Sequence, residues 1–130
     1  MTTTTPLVTG VDFAMVPTTD IERSVEFYEQ TLGLPCTARY GKVDGAEFET
    51  GNLTIAAFDF GAVGMEPPSA NSGPIALRVD DVPAAKAELE SRGVQFQGEI
   101  VDSGVCHQAY FADPDGNNLI IHHRYSPRES

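Results

Sequence analysis

The sequence predicts an α+β fold built from two βαβββ modules in one chain. Two observations carry this reading: a strand-then-helix plan that occurs twice at one offset, and three strand-like stretches after each helix. The first copy is FAMVPTTDIERSVEFYEQTLGLP, from Phe13, and the second is PIALRVDDVPAAKAELESRGVQF, from Pro74. Phe13 matches Pro74 and Asp20 matches Asp81, both 61 positions apart (74 − 13 and 81 − 20). A constant period of this kind marks an internal duplication. Neither half can bury its sheet alone, so both are expected to pack as one domain, 1–130. Within it the expected parts are a flexible tail at 1–10, a first module at 11–60, a linker at 61–73 and a second module at 74–125.

Each element has local support. Thr19 and Glu22 have the spacing of a capping box, which predicts a helix start there. Ile21, Val25, Tyr28 and Leu32 recur at helical spacing, and Gly33 followed by Pro35 supplies the stop. In the second copy Asp81 and Pro83 suit a helix start, Val82, Ala85 and Leu89 form the apolar stripe, and Gly93 ends it. Strands are expected at Cys36–Tyr40, Ala46–Thr50 and Asn52–Phe58, and again at Gln95–Val101, Cys106–Ala112 and Leu119–Arg124. The segment GAVGMEPPSANSG, 61–73, has the composition of a connecting loop.

Composition limits the functional classes. The 130 residues are 41% hydrophobic, which fits one folded globular domain. A formal net charge of −11 argues against nucleic acid and anionic membrane as partners and is compatible with a cationic ligand. No apolar run approaches the roughly 20 residues of a membrane span. MTTTTPLVTG lacks the basic and apolar regions of an export signal, so cytoplasmic location is the expectation. Cys36 and Cys106 form neither a C-x-x-C pair nor a zinc spacing, and buried free thiols are expected.

Motifs for several chemistries are missing: there is no phosphate-binding glycine loop, no nucleophile elbow and no H-E-x-x-H. Asp113 and Asp115 flank a proline and precede Gly116, which is turn chemistry. Glu47 and Glu49 share one strand face, as a carboxylate pair or as a solvated edge. His122 and His123 are adjacent in a strand, so they point to opposite faces and cannot hold one metal together.

The segments TTDIERSVEFYEQTLGLP, ALRVDDVPAAKAELESRGV and YFADPDGNNLIIHHR, in this order and spacing, resemble the vicinal oxygen chelate superfamily. That superfamily includes glyoxalase I, extradiol dioxygenases and bleomycin-resistance proteins. The resemblance implies that the modules form a curved mixed sheet around a cup-shaped cavity, and that members often dimerise. In metal-dependent members it implies ligands on the first and last strand of each module, facing the cup. Carried onto this chain, those positions are Phe13, Thr54, Pro74 and Ile120. Phe, Pro and Ile have no donor atom, and one threonine hydroxyl cannot hold a divalent cation against water. No metal and no cofactor are therefore expected. A displaced set of His107, His122 and Glu47 is the alternative for a metal.

If Ile120 faces the cup, alternation carries His122 and Arg124 to the same side. Phe13, Met15, Thr54, Phe58, Arg78, Cys106, Gln108, Tyr110 and Ile120 complete the expected ligand-binding set. This mixture of apolar walls and a few polar groups is typical of a small-molecule site. The leading expectation is a metal-free small-molecule binding protein that sequesters an antibiotic or carries a metabolite. The ligand is expected to be aromatic or cationic, and the protein a homodimer. Rival readings are a glyoxalase-like lyase or dioxygenase-type enzyme, with His122 and Tyr110 as catalytic candidates, and a domain with a vestigial pocket.

Overall fold

A computed structural model of the chain describes residues 6–40 and 44–127. The expected tail lies partly outside these, at 1–5. The first module runs β1 (Phe13–Pro17), α1 (Ile21–Val25), a π-helical turn (Glu26–Thr31), β2 (Cys36–Arg39), β3 (Gly45–Glu49) and β4 (Thr54–Phe58). A 3-10 turn at Gly61–Val63 opens the connection. The second module runs β5 (Ile75–Arg78), α2 (Val82–Ser91), β6 (Gln97–Asp102), β7 (Cys106–Ala112) and β8 (Asn118–Arg124).

The two modules have the same topology. Each makes a four-stranded mixed sheet, in the orders β1-β4-β3-β2 and β5-β8-β7-β6, with the first strand parallel to the last. The two expected βαβββ modules thus each contribute one mixed sheet. In each module the helix packs on one face of its sheet, and the two packings join in one core, where Val16, Tyr28, Phe48 and Ile55 meet Val82, Leu89, Phe111, Leu119 and Ile121. Two half-cores too small to be stable alone become one.

The helix starts are equivalent but differ from the expected capping box. Asp20, not Thr19, is the N-cap, accepting from the Arg23 amide at 3.2 Å. Its counterpart Asp81 accepts from the Ala84 amide at 2.9 Å. A carboxylate here satisfies an orphan amide and complements the helix dipole. Glu22, freed from the box, pairs with Arg39 instead. The first helix then widens. The Leu32 amide donates to the Phe27 carbonyl at 2.9 Å, a five-residue step, and Gly33 at φ +78° ends the element. The wide turn buries neighbouring Phe27 and Tyr28 together, their rings edge-to-face with centroids 5.2 Å apart.

The turn DPDGNN locks one module onto the other. Asp115 accepts from Thr18 Oγ1 at 2.7 Å, the Thr19 amide at 3.0 Å and Arg23 Nη2 at 2.8 Å. Asp113 accepts from the Tyr28 hydroxyl at 2.7 Å and from the Asn117 and Asp115 amides at 2.9 Å. Fully buried Asn117 donates through Nδ2 to the Pro17 carbonyl at 2.9 Å. Burial and the Asp113 charge push the Tyr28 phenol far above its usual range. Desolvation opposes ionisation of Asp115, but the Thr18, Thr19 and Arg23 contacts outweigh it and hold its carboxyl below the ordinary value.

Candidate functional site: the outward faces of the two sheets

Strand alternation sets what remains for function. Val16, Ile55, Ala57, Leu119 and Ile121 point into the core. Their neighbours must point away. On the first sheet the outward set is Phe13, Met15, Thr54, Ala56 and Phe58, and the register places Phe13 beside Thr54, Met15 beside Ala56 and Pro17 beside Phe58. On the second sheet Ala76 lies beside Ile120, which lies beside Tyr110. Arg78 lies beside His122, which lies beside Gln108, and Cys106 lies beside Arg124.

The polar groups of the second sheet are linked. The Tyr110 hydroxyl donates to Gln108 Oε1 at 2.9 Å, which turns Gln108 Nε2 towards Cys106 Sγ at 3.5 Å. Ser103 Oγ lies 3.0 Å from the same sulfur. These two contacts lower the Cys106 thiol below its ordinary value, with the Arg124 charge adding to them. Cys36 and Cys106 are both free thiols.

Three placements correct the sequence reading. First, Phe13, Met15, Tyr110 and His122 line none of five cavities among the described residues. Phe13 is 52% and Met15 42% exposed. A cavity of about 570 Å³ lies elsewhere, beside Phe27, Arg92, Phe96 and Pro114. Second, the structural counterpart of Ile120 is Ala56 rather than Thr54. Ala76 pairs with Ile120, and its repeat-mate Met15 pairs with Ala56. Third, His107, His122 and Glu47 do not converge. His107 sits opposite His123 on the other face from His122, and Glu47 is in the first sheet.

The residues present do not fit the metal centre of metal-dependent relatives. Phe13, Ala56, Pro74 and Ile120 carry no donor atom, and Thr54 Oγ1 donates to Glu49 Oε1 at 2.6 Å. Among the described residues no three His, Cys, Asp or Glu side chains are grouped to hold an ion. Glu47 is likewise engaged, accepting from the Tyr40 hydroxyl at 2.8 Å. On the reverse face, His123 Nδ1 lies 3.2 Å from the Val79 carbonyl oxygen, and His107 Nε2 lies 3.3 Å from Asp102. No helix of the described residues is long and apolar enough to cross a membrane.

Similar proteins agree with this architecture. The chain is 28% identical over 114 residues to the uncharacterized protein YraH of Bacillus subtilis, covering 79% of this chain and 89% of that one. It superposes on TnmS3, an antibiotic binding protein from Streptomyces sp. CB03234, with a TM-score of 0.77 and 27% identity, covering 92% and 99% of the two chains. A glyoxalase/bleomycin resistance protein from the same organism matches with a TM-score of 0.71 and 29% identity, covering 88% and 100%. The model of the Glyoxalase/Bleomycin resistance protein/Dioxygenase superfamily matches residues 10–121, and with the duplicated βαβββ topology this places the chain in that superfamily.

Proposed function

We propose that the chain is a metal-free small-molecule binding protein, of the kind that sequesters an antibiotic or carries a metabolite. The observation that carries this reading is the chemistry of the outward faces: Phe13, Met15, Phe58 and Tyr110 offer an apolar and aromatic surface, while the inherited metal positions hold no donor set. Aromatic surface with a few oriented polar groups suits an organic ligand. Arg78, Gln108 and His122 orient the ligand, and Thr54, Cys106 and Arg124 border it. TnmS3, similar over 92% of this chain, is an antibiotic binding protein, which supports the same class here. The working unit is a homodimer in the cytoplasm. Phe13 and Met15 lie open in one chain, and a second copy covers them and encloses the ligand. An enzymatic role for His122 and Tyr110 is less well supported, because the Tyr110 proton is already committed to Gln108.

The test is a thermal-shift screen of hydrophobic metabolites and antibiotics on chelator-treated protein, followed by calorimetry of the hits. Saturable binding of about one ligand per chain, unchanged by chelator, is expected. Binding that appears only after a divalent metal is added back contradicts the metal-free reading.

A further inference from the structure

The two unpaired arginines of the described chain lie on one sheet face, one beside His122 across the strand pair and one two residues along its own strand. In a protein of net charge −11, every other described basic side chain has an acidic partner. Arg23 pairs with Asp115, Arg39 with Glu22, Lys86 with Glu90 and Arg92 with Glu88. Lys42 and Arg128 lie outside the described residues. Arg78 and Arg124 form no ion pair with any described residue, although the chain has 19 Asp and Glu to offer.

Their placement follows from register. Arg78 is the direct neighbour of His122 across the β5–β8 pair. Arg124 is two residues beyond His122 on β8, on the same face, beside Cys106. Two residues of strand span about 7 Å, within reach of two long side chains closing on one group. Among the described residues the His122 ring also has no hydrogen-bond partner, while neighbouring Gln108 is held by Tyr110. The nearby outward surface is exposed Ala76 and half-buried Tyr110, flanking Ile120, which is itself nearly covered. Guanidinium forks match the geometry of an oxyanion, and clustered cations without counter-ions repel one another until an anion arrives.

We propose that Arg78, His122 and Arg124 form an anion clamp, so that the ligand is an organic oxyanion carried on a flat apolar body. This rests on the small-molecule reading above and narrows it, against the cationic ligand that net charge alone favours. The apolar body lies over Ala76 and Tyr110 while its oxyanion meets the arginines.

The experiment titrates four matched probes by calorimetry: naphthalene-2-carboxylate, 2-naphthyl phosphate, 2-naphthalenemethanol and 2-naphthalenemethylammonium. At least one of the two anions should bind about tenfold or more tighter than the alcohol, with the ammonium weakest. The better anion identifies the oxyanion. Arg78→Gln and Arg124→Gln, both at exposed positions, should each cost that anion about five- to twentyfold, several times more than either costs the alcohol. Alcohol and anions binding equally, unaffected by either substitution, would overturn the clamp and leave the small-molecule reading standing. Failure of all four probes would overturn the clamp and count against that reading too. Substitutions that shift only the monomer–dimer balance, with anion affinity intact, would assign the arginines to partner carboxylates and also overturn it.

Discussion

His122 and His123 show how one residue of offset changes a role. His122 shares the outward face with Gln108, Arg78 and Ile120, whereas His123 is turned back to the Val79 carbonyl and His107. A hydrogen bond from a ligand to His122 contributes about 0.5–1.5 kcal/mol net. His122→Ala should therefore weaken binding of a screened ligand severalfold, while His123→Ala leaves it within twofold. Equal losses in both variants would show that the ligand does not lie on this face. At Asp115 the expected effect is on stability. Its carboxyl is held below the ordinary value, so its contribution is complete above about pH 4, the unfolded value, and is lost as pH falls through the lower folded value. Asp115→Asn should cost about 1.5–3 kcal/mol at pH 7. It should also flatten the loss of stability between pH 4 and pH 2, measured by urea unfolding at each pH. An unchanged acid limb in the variant would remove Asp115 from that account.

At the scale of elements, the module plan was readable because the 61-residue repeat carries its punctuation with it: Asp20 and Asp81 as caps, Gly33 and Gly93 as stops. The face of each strand was readable from alternation. The phase of β1 against β4 was not, since alternation distinguishes odd from even but not a shift of two, and so Ala56 takes the position assigned to Thr54. The π-helical turn was hidden for a related reason: Ile21, Val25, Tyr28 and Leu32 suit a regular helix, and all four still pack on the core. The lock between modules was invisible because its partners lie far apart in sequence and the turn residues already had a local explanation. Phe27, carried inward by the wide turn, makes the element testable. Phe27→Ala should cost about 3–5 kcal/mol, read as a lower denaturant midpoint. A cost below about 1 kcal/mol would mean the turn is not seated on the core as described.

For the whole molecule, the same packing that joins two half-cores leaves Phe13 and Met15 on the outward face of the first sheet exposed in one chain. An open face carrying Phe13 and Met15 is a surface that association would bury. Sedimentation at micromolar concentration should show a dimer, and Met15→Glu should shift it towards monomer. A wild-type monomer throughout would require the ligand to bind an open sheet. The duplicated fold thus supplies a scaffold, and the residues at Phe13, Ala56, Pro74 and Ile120 offer no donor atom to a metal.

The most direct test of metal-free binding on the outward faces uses neighbouring methyl groups that alternation sends to opposite sides. Chelator-treated protein, with Ala, Ile, Leu and Met methyls labelled, is titrated with a ligand from the screen and followed by NMR. Met15, Ala56, Ala76 and Ile120 face outward, while Ile55, Leu77, Leu119 and Ile121 contribute to the core. Saturable shifts concentrated in the first group, without added metal, are expected. Shifts concentrated in the second group, or none until a divalent metal is supplied, would contradict metal-free binding on the outward faces.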